Sequence, residues 1–296
     1  MSKIEEALRK AKSERSKGDF QSESNNKNSH NVENISFSRT LQTTANSISQ
    51  VVPRESSVKE IALMSEDEIL ENKQLSELKI IYSDMPDLKY ANVYRDLRTK
   101  LLQKTQGRNF IVMITSCMPG EGSGNVALNL ATAFTFDESK TSLLIDCDLN
   151  NPKIDAILDL QSDVGLTDYL ERDDVEVGSI VHKTGIKRLR MVPAGSSRET
   201  ATEYFTSVRM RELLEELYLR YTDRYVFLHA APIVESADTR ILVELCDYVI
   251  LVVPYGQATK IRVKAAADAI GSEKLLGAVF NEIPGIPRTS KKTKRN

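Results

Sequence analysis

The chain has 296 residues, 41% of them hydrophobic, and carries 40 basic against 42 acidic residues for a net charge of −2. That length accommodates one large domain or two small ones with a sizeable core. The even charge balance offers no basic face, so no nucleic-acid partner is expected. The most apolar stretch, Ile241 to Val253, contains Glu244 and Asp247 and does not read as a membrane span. The start, MSKIEEALRK, lacks the apolar centre of a signal peptide. Cys117, Cys147 and Cys246 have no paired spacing for zinc or disulfides, which suits a reducing cytoplasm.

Residues 1–17 predict an amphipathic helix. Ser2 and Glu5 form a capping box, and Ile4, Ala7, Leu8 and Ala11 share a stripe. So short a helix is marginal alone in water, so it is expected to dock on another surface. Residues 18–75, with runs such as QSESNNKNSHNVEN, bury too little apolar surface to offset ordering entropy and read as a polar, disordered linker. A domain follows over 76–288, then a basic tail over 289–296.

In the domain, Tyr90, Val93, Tyr94, Leu97 and Leu101 recur at helical spacing. Strands are expected at Phe110–Thr115, Thr141–Ile145, Arg188–Val192, Tyr225–Leu228, Tyr248–Val253 and Ala278–Phe280. Helices are expected from about Asn125 to Phe136 and over Val208–Leu219, the latter turning Met210, Leu213, Leu214 and Leu217 inward. Short apolar strands interleaved with helices predict an α/β fold with a parallel sheet covered on both faces.

Between the first strand and its helix lies Cys117-Met118-Pro119-Gly120-Glu121-Gly122-Ser123-Gly124. A working phosphate loop reads G-x-x-x-x-G-K-[ST] in this context. Here Ser123 stands at the Lys position and Gly124 at the Ser/Thr position. The Lys would neutralise phosphate and the hydroxyl would ligate magnesium; neither is present. The backbone of Gly120, Glu121, Gly122, Ser123, Gly124 and Asn125 still favours an anion at a helix N-terminus. Alternatively, the loop is a Gly-rich turn with no ligand. The next strand ends in Asp146-Cys147-Asp148, two carboxylates that could hold magnesium or serve as caps. Cys117 reads as a small packing residue, and Lys153 is the single nearby candidate for a replacement cation.

These motifs resemble the P-loop-type bacterial tyrosine kinases of capsule and exopolysaccharide assembly, from about Leu75 to Glu282. The carriers are PGEG followed by Asn129-Leu130-Ala131, then LLIDCDLNNP. Further along come Gly165 to Leu170, Val192-Pro193-Ala194-Gly195, and YVFLHAAP at Tyr225–Pro232, where His229 replaces an expected Asp. The MSKIEEAL start, the polar linker and ATEYF at 201–205 look closest to exosortase-associated autokinases. The resemblance makes Asn281 a base-contacting residue. It also makes the helix with Arg95 and Arg98 a candidate homo-oligomer surface, although Asn92 replaces the family's Glu. It implies a membrane polysaccharide co-polymerase (chain-length determinant) as partner and recruitment to the inner face of the cell membrane. The family's tyrosine cluster is missing, since no Tyr follows Tyr255.

With Lys, hydroxyl and third-motif Asp all replaced, the sequence predicts a catalytically degenerate kinase-like regulator or scaffold. At most it would bind ATP, ADP or phosphate weakly, without magnesium. An active tyrosine autokinase using Asp146 and Asp148, and a partition- or positioning-type ATPase, are the alternatives.

Overall fold

The computed structural model describes residues 61, 64–120, 122–160, 162–196, 202–219 and 223–281. The expected helix at 1–17, most of the linker and the basic tail lie outside these residues.

Seven strands form one sheet: β1 (Ile111–Ser116), β2 (Thr141–Asp146), β3 (His182–Lys183), β4 (Leu189–Val192), β5 (Arg224–His229), β6 (Tyr248–Pro254) and β7 (Leu275–Asn281). Their spatial order is β3-β4-β2-β5-β1-β6-β7. All neighbours pair in parallel except β3 and β4. The two-residue antiparallel edge β3 and the early start of β7 at Leu275 depart from the sequence expectation. Both are edge strands, where half of the ladder is missing and the apolar signal is diluted.

Side chains alternate between two cores, as the period of a strand requires. Ile111, Met113, Leu143, Ile145, Val226, Leu228, Val249 and Leu251 join one core. Val112, Ile114, Leu144, Tyr225, Phe227, Ile250 and Val252 join the other. Strands buried on both faces read as unbroken apolar runs, which is why they are visible in the sequence.

Helices cover each face. On the second core lie α1 (Asn72–Glu77), α2 (Leu88–Thr105), α3 (Ser123–Phe134) and the short α4 (Ile154–Leu158). The first core is covered by α5 (Leu166–Glu171), α6 (Val177–Ile180), α7 (Thr202–Thr206), α8 (Val208–Leu219), α9 (Ala237–Leu245) and α10 (Lys260–Ile270). Helix α3 is buried along ten of its positions because α2 packs over its outer side. Phe110, Phe134, Tyr225 and Phe227 interlock beneath it, with ring centroids 4.8–5.9 Å apart. Each such ring stabilises the domain by about 1.5–3 kcal/mol through burial.

Packing begins before residue 76. Glu66 pairs with Arg190 of β4, Lys183 lies 2.5 Å from Asp67, and Leu70 N donates to Gly185 O at 3.0 Å. Leu75 is buried in α1. Composition averaged over the segment hides these few anchors, which tie residues 66–70 to the sheet edge.

Candidate functional site

Parallel order brings the C-terminal ends of β1, β2 and β5 side by side. Asp146 and His229 end their strands in register with one another, and Ile114 of β1 is in register with His229. The chain leaving β1 first extends the ladder, with Cys117 N donating to Val252 O at 3.2 Å. It then turns through Gly120 and Gly122 into α3. A Cβ on Gly122 would lie 2.1 Å from Asn281 Nδ2, so Asn281 rests directly against the loop and would have to shift for any larger residue there. Glu121 lies outside the described residues.

At the start of α3, Ser123 Oγ lies 3.2 Å from His229 Nε2. The opposite ring nitrogen, Nδ1, donates to Asp146 Oδ1 at 2.9 Å, since an ionised carboxylate can only accept. All three residues are buried, at 8%, 4% and 0% exposure for Ser123, His229 and Asp146. They form a continuous hydrogen-bonded chain across the crevice. The ring lies close to the start of α3: a Cβ on Gly124 would sit 3.6 Å from His229 Nε2 and 3.5 Å from Ile154 Cγ1, in ordinary contact.

Burial alone pulls the His229 pKa down. The Asp146 charge, its hydrogen bond and the charge of Asp148 outweigh that, and the ring holds its proton above the usual histidine value. Asp148 is displaced upward, chiefly by burial and further by Asp146, with His229 opposing. Its amide donates to Asp146 Oδ1 at 3.1 Å, and its Oδ1 accepts from Asn151 N at 3.3 Å. Burial also pushes the Cys117 thiol up, which makes it a poor nucleophile despite its place in the loop.

The donor set does not suit magnesium, which demands near-octahedral oxygen ligands. Gly124 has no side chain. Asp146 Oδ1 already accepts from His229 and Asp148, and Oδ2 faces the amides of Lys153 and Ile154 at 3.4 Å each. Both His229 nitrogens are engaged. Among the described residues no group of three or more His, Cys, Asp or Glu side chains is arranged to hold a metal ion.

The other predicted residues have internal partners. Arg95 donates to Ser83 O at 2.6 Å and to Asn92 Oδ1 at 3.2 Å. Arg98 lies 3.7 Å from Asp137 and over the Phe134 ring. Asn125 presents a buried side-chain oxygen without a hydrogen-bond partner. Their places just after separate strands lead one to expect Gly122, Ser123, Asp146, Asp148 and His229 to converge at this edge, but not the direct Ser123–His229–Asp146 hydrogen bonds. The motif residue Asn129 has a role the sequence did not explain: its side chain accepts from Ile81 N at 2.8 Å and donates to Lys79 O and Asn125 O at 3.0 and 2.9 Å. That residue fixes the approach to α2 against α3, where Lys79 adopts a positive φ of 60°.

A mostly parallel sheet with a glycine loop between β1 and α3 defines a P-loop NTPase-like α/β protein. The chain matches no protein-family model. It is 34% identical over 191 residues to tyrosine-protein kinase YwqD of Bacillus subtilis, covering 64% of this chain and 79% of that protein. It is 26% identical over 216 residues to the succinoglycan biosynthesis transport protein ExoP of Rhizobium meliloti, covering 69% of this chain and 26% of that one. Among solved structures, the VpsO kinase domain superimposes with a TM-score of 0.59 at 26% identity, covering 72% of this chain and 98% of that domain. The chain belongs to the bacterial tyrosine-kinase family of capsule and exopolysaccharide biosynthesis.

Proposed function

We propose that this protein is a degenerate member of its family, a regulator or scaffold of exopolysaccharide assembly that does not transfer phosphate. The observation that carries this reading is the Ser123–His229–Asp146 chain. Phosphoryl transfer depends on positioned charge around the phosphates. Here an uncharged hydroxyl occupies the Lys position, glycine occupies the metal-ligand position, and the histidine consumes the carboxylate of β2. These substitutions remove the charge, the metal ligand and the free carboxylate from a sheet and helix framework that is otherwise in place.

The partner this reading implies is a membrane polysaccharide co-polymerase, as the relationship to a succinoglycan transport protein supports. No described helix is long and apolar enough to cross a membrane. The test is sedimentation of the full chain with membranes that contain or lack the co-polymerase, with and without ATP. Retention only where the co-polymerase is present, and unaltered by ATP, is the expected result. Equal recovery with both membranes, or release by ATP, contradicts it.

A further inference from the structure

We propose that His229 is a built-in replacement for the divalent cation, so that this site keeps its closed geometry without metal and takes none up. The inference rests on the reading that the loop has left phosphate transfer, and goes further by assigning the residue that made the metal unnecessary.

The argument is geometric. A divalent ion in such a crevice would be held between a carboxylate at the end of a strand and a hydroxyl at the position that Gly124 occupies. The imidazole of His229 instead ties the strand end to the adjacent position, Ser123, which stands where the loop Lys would be. It reaches Asp146 at 2.9 Å on one side and Ser123 at 3.2 Å on the other, spanning the end of β2 and the start of α3. The three substitutions are mutually consistent in space. The ring approaches the start of α3 at the place where Gly124 has no side chain, and Ser123 supplies a short polar group to meet Nε2. A lysine at 123 would set an ammonium group against the ring, and a second carboxylate at 229 would face Asp146 without a partner. The losses therefore read as one coordinated exchange of metal for imidazole rather than as independent decay. Asp146 is satisfied on both oxygens by protein donors, and a cation entering here would have to displace them.

The test uses the full-length protein and manganese as the probe, because its paramagnetism reports binding directly. The free-ion signal is titrated against wild type and His229→Asp, and melting temperatures are read in chelator and in manganese. Wild type is expected to leave the manganese signal unchanged and to melt at the same temperature in both. The Asp variant, which places like charges together, is expected to melt lower in chelator. It should regain about 5–10 °C when manganese exceeds its dissociation constant a hundredfold. Stoichiometric binding by wild type overturns the proposal, and so does an Asp variant that folds but ignores manganese. If the Asp variant does not fold, the wild-type titration still decides. A wild type that binds manganese but transfers no phosphate would defeat this inference and leave the proposed function standing.

Discussion

Asp146 and His229 end neighbouring parallel strands at the same register position, and their side chains meet at 2.9 Å over the glycine loop. That pair sets a histidine and a carboxylate against each other at the C-terminal edge of the sheet, and several consequences can be tested through it or its surroundings.

The pair makes stability depend on pH in a defined direction. His229 holds its proton above the ordinary value of 6.5, so its contribution is complete below about pH 6.5 and is lost as pH rises through the folded-state value. The gap in melting temperature between wild type and His229→Asn should be widest below pH 6.5 and narrow above it. A gap that widens with pH would reverse the assigned sign.

Two glycines of the loop should respond oppositely to alanine. At Gly124, inside the first turn of α3, the added methyl makes ordinary contacts, and removal of glycine's backbone freedom should stabilise by about 0.5–1 kcal/mol. At Gly122 the methyl meets Asn281 Nδ2 and must drive that side chain off the loop, so Gly122→Ala should destabilise. Denaturant titration of both variants separates the signs.

The segment before α1 should behave as part of the domain. The Glu66 and Arg190 side chains are 2% and 11% exposed and paired with each other. Removing either alone strands a buried charge, at a cost of about 3–5 kcal/mol. The double change Glu66→Leu with Arg190→Met should cost much less, and a double-mutant cycle by chemical denaturation reads the difference. Additive losses would mean that the segment is not held through this pair.

Asn129 tests a residue that sequence motifs mark but do not explain. Asn129→Ala leaves the Ile81 amide without its acceptor in a buried setting, at about 1–3 kcal/mol. Hydrogen exchange at Ile81 should accelerate in the variant while exchange in β6 keeps its ranking.

Much of this architecture was legible in the sequence. The helix Val208–Leu219 matches its predicted bounds, and the central strands declare themselves because both faces are buried. The glycine loop with Ser123 and Gly124 was readable by motif spacing, whereas His229 at a position expected to be Asp came from the family resemblance. The convergence of the loop, Asp146 and His229 at one sheet edge was expected from their places after separate strands, but the specific side-chain pairings were not. Asp146 and His229 are separated by 83 positions, Ser123 and His229 by 106, and Glu66 and Arg190 by 124. Those contacts follow from strand order, which local periodicity does not encode. The polar composition around residue 66 also hid a carboxylate that is buried because it is paired.

The most direct test of the central claim is incubation of purified protein with radiolabelled ATP and magnesium or manganese, followed by detection of label on tyrosine. The comparison protein carries Ser123→Lys, Gly124→Thr and His229→Asp together, which returns the charge and ligands of a working loop. The account predicts no label on the unmodified chain above a no-enzyme control. Label on tyrosine of the unmodified chain would contradict it outright, showing that the Ser123–His229–Asp146 chain opens to admit the nucleotide and its metal.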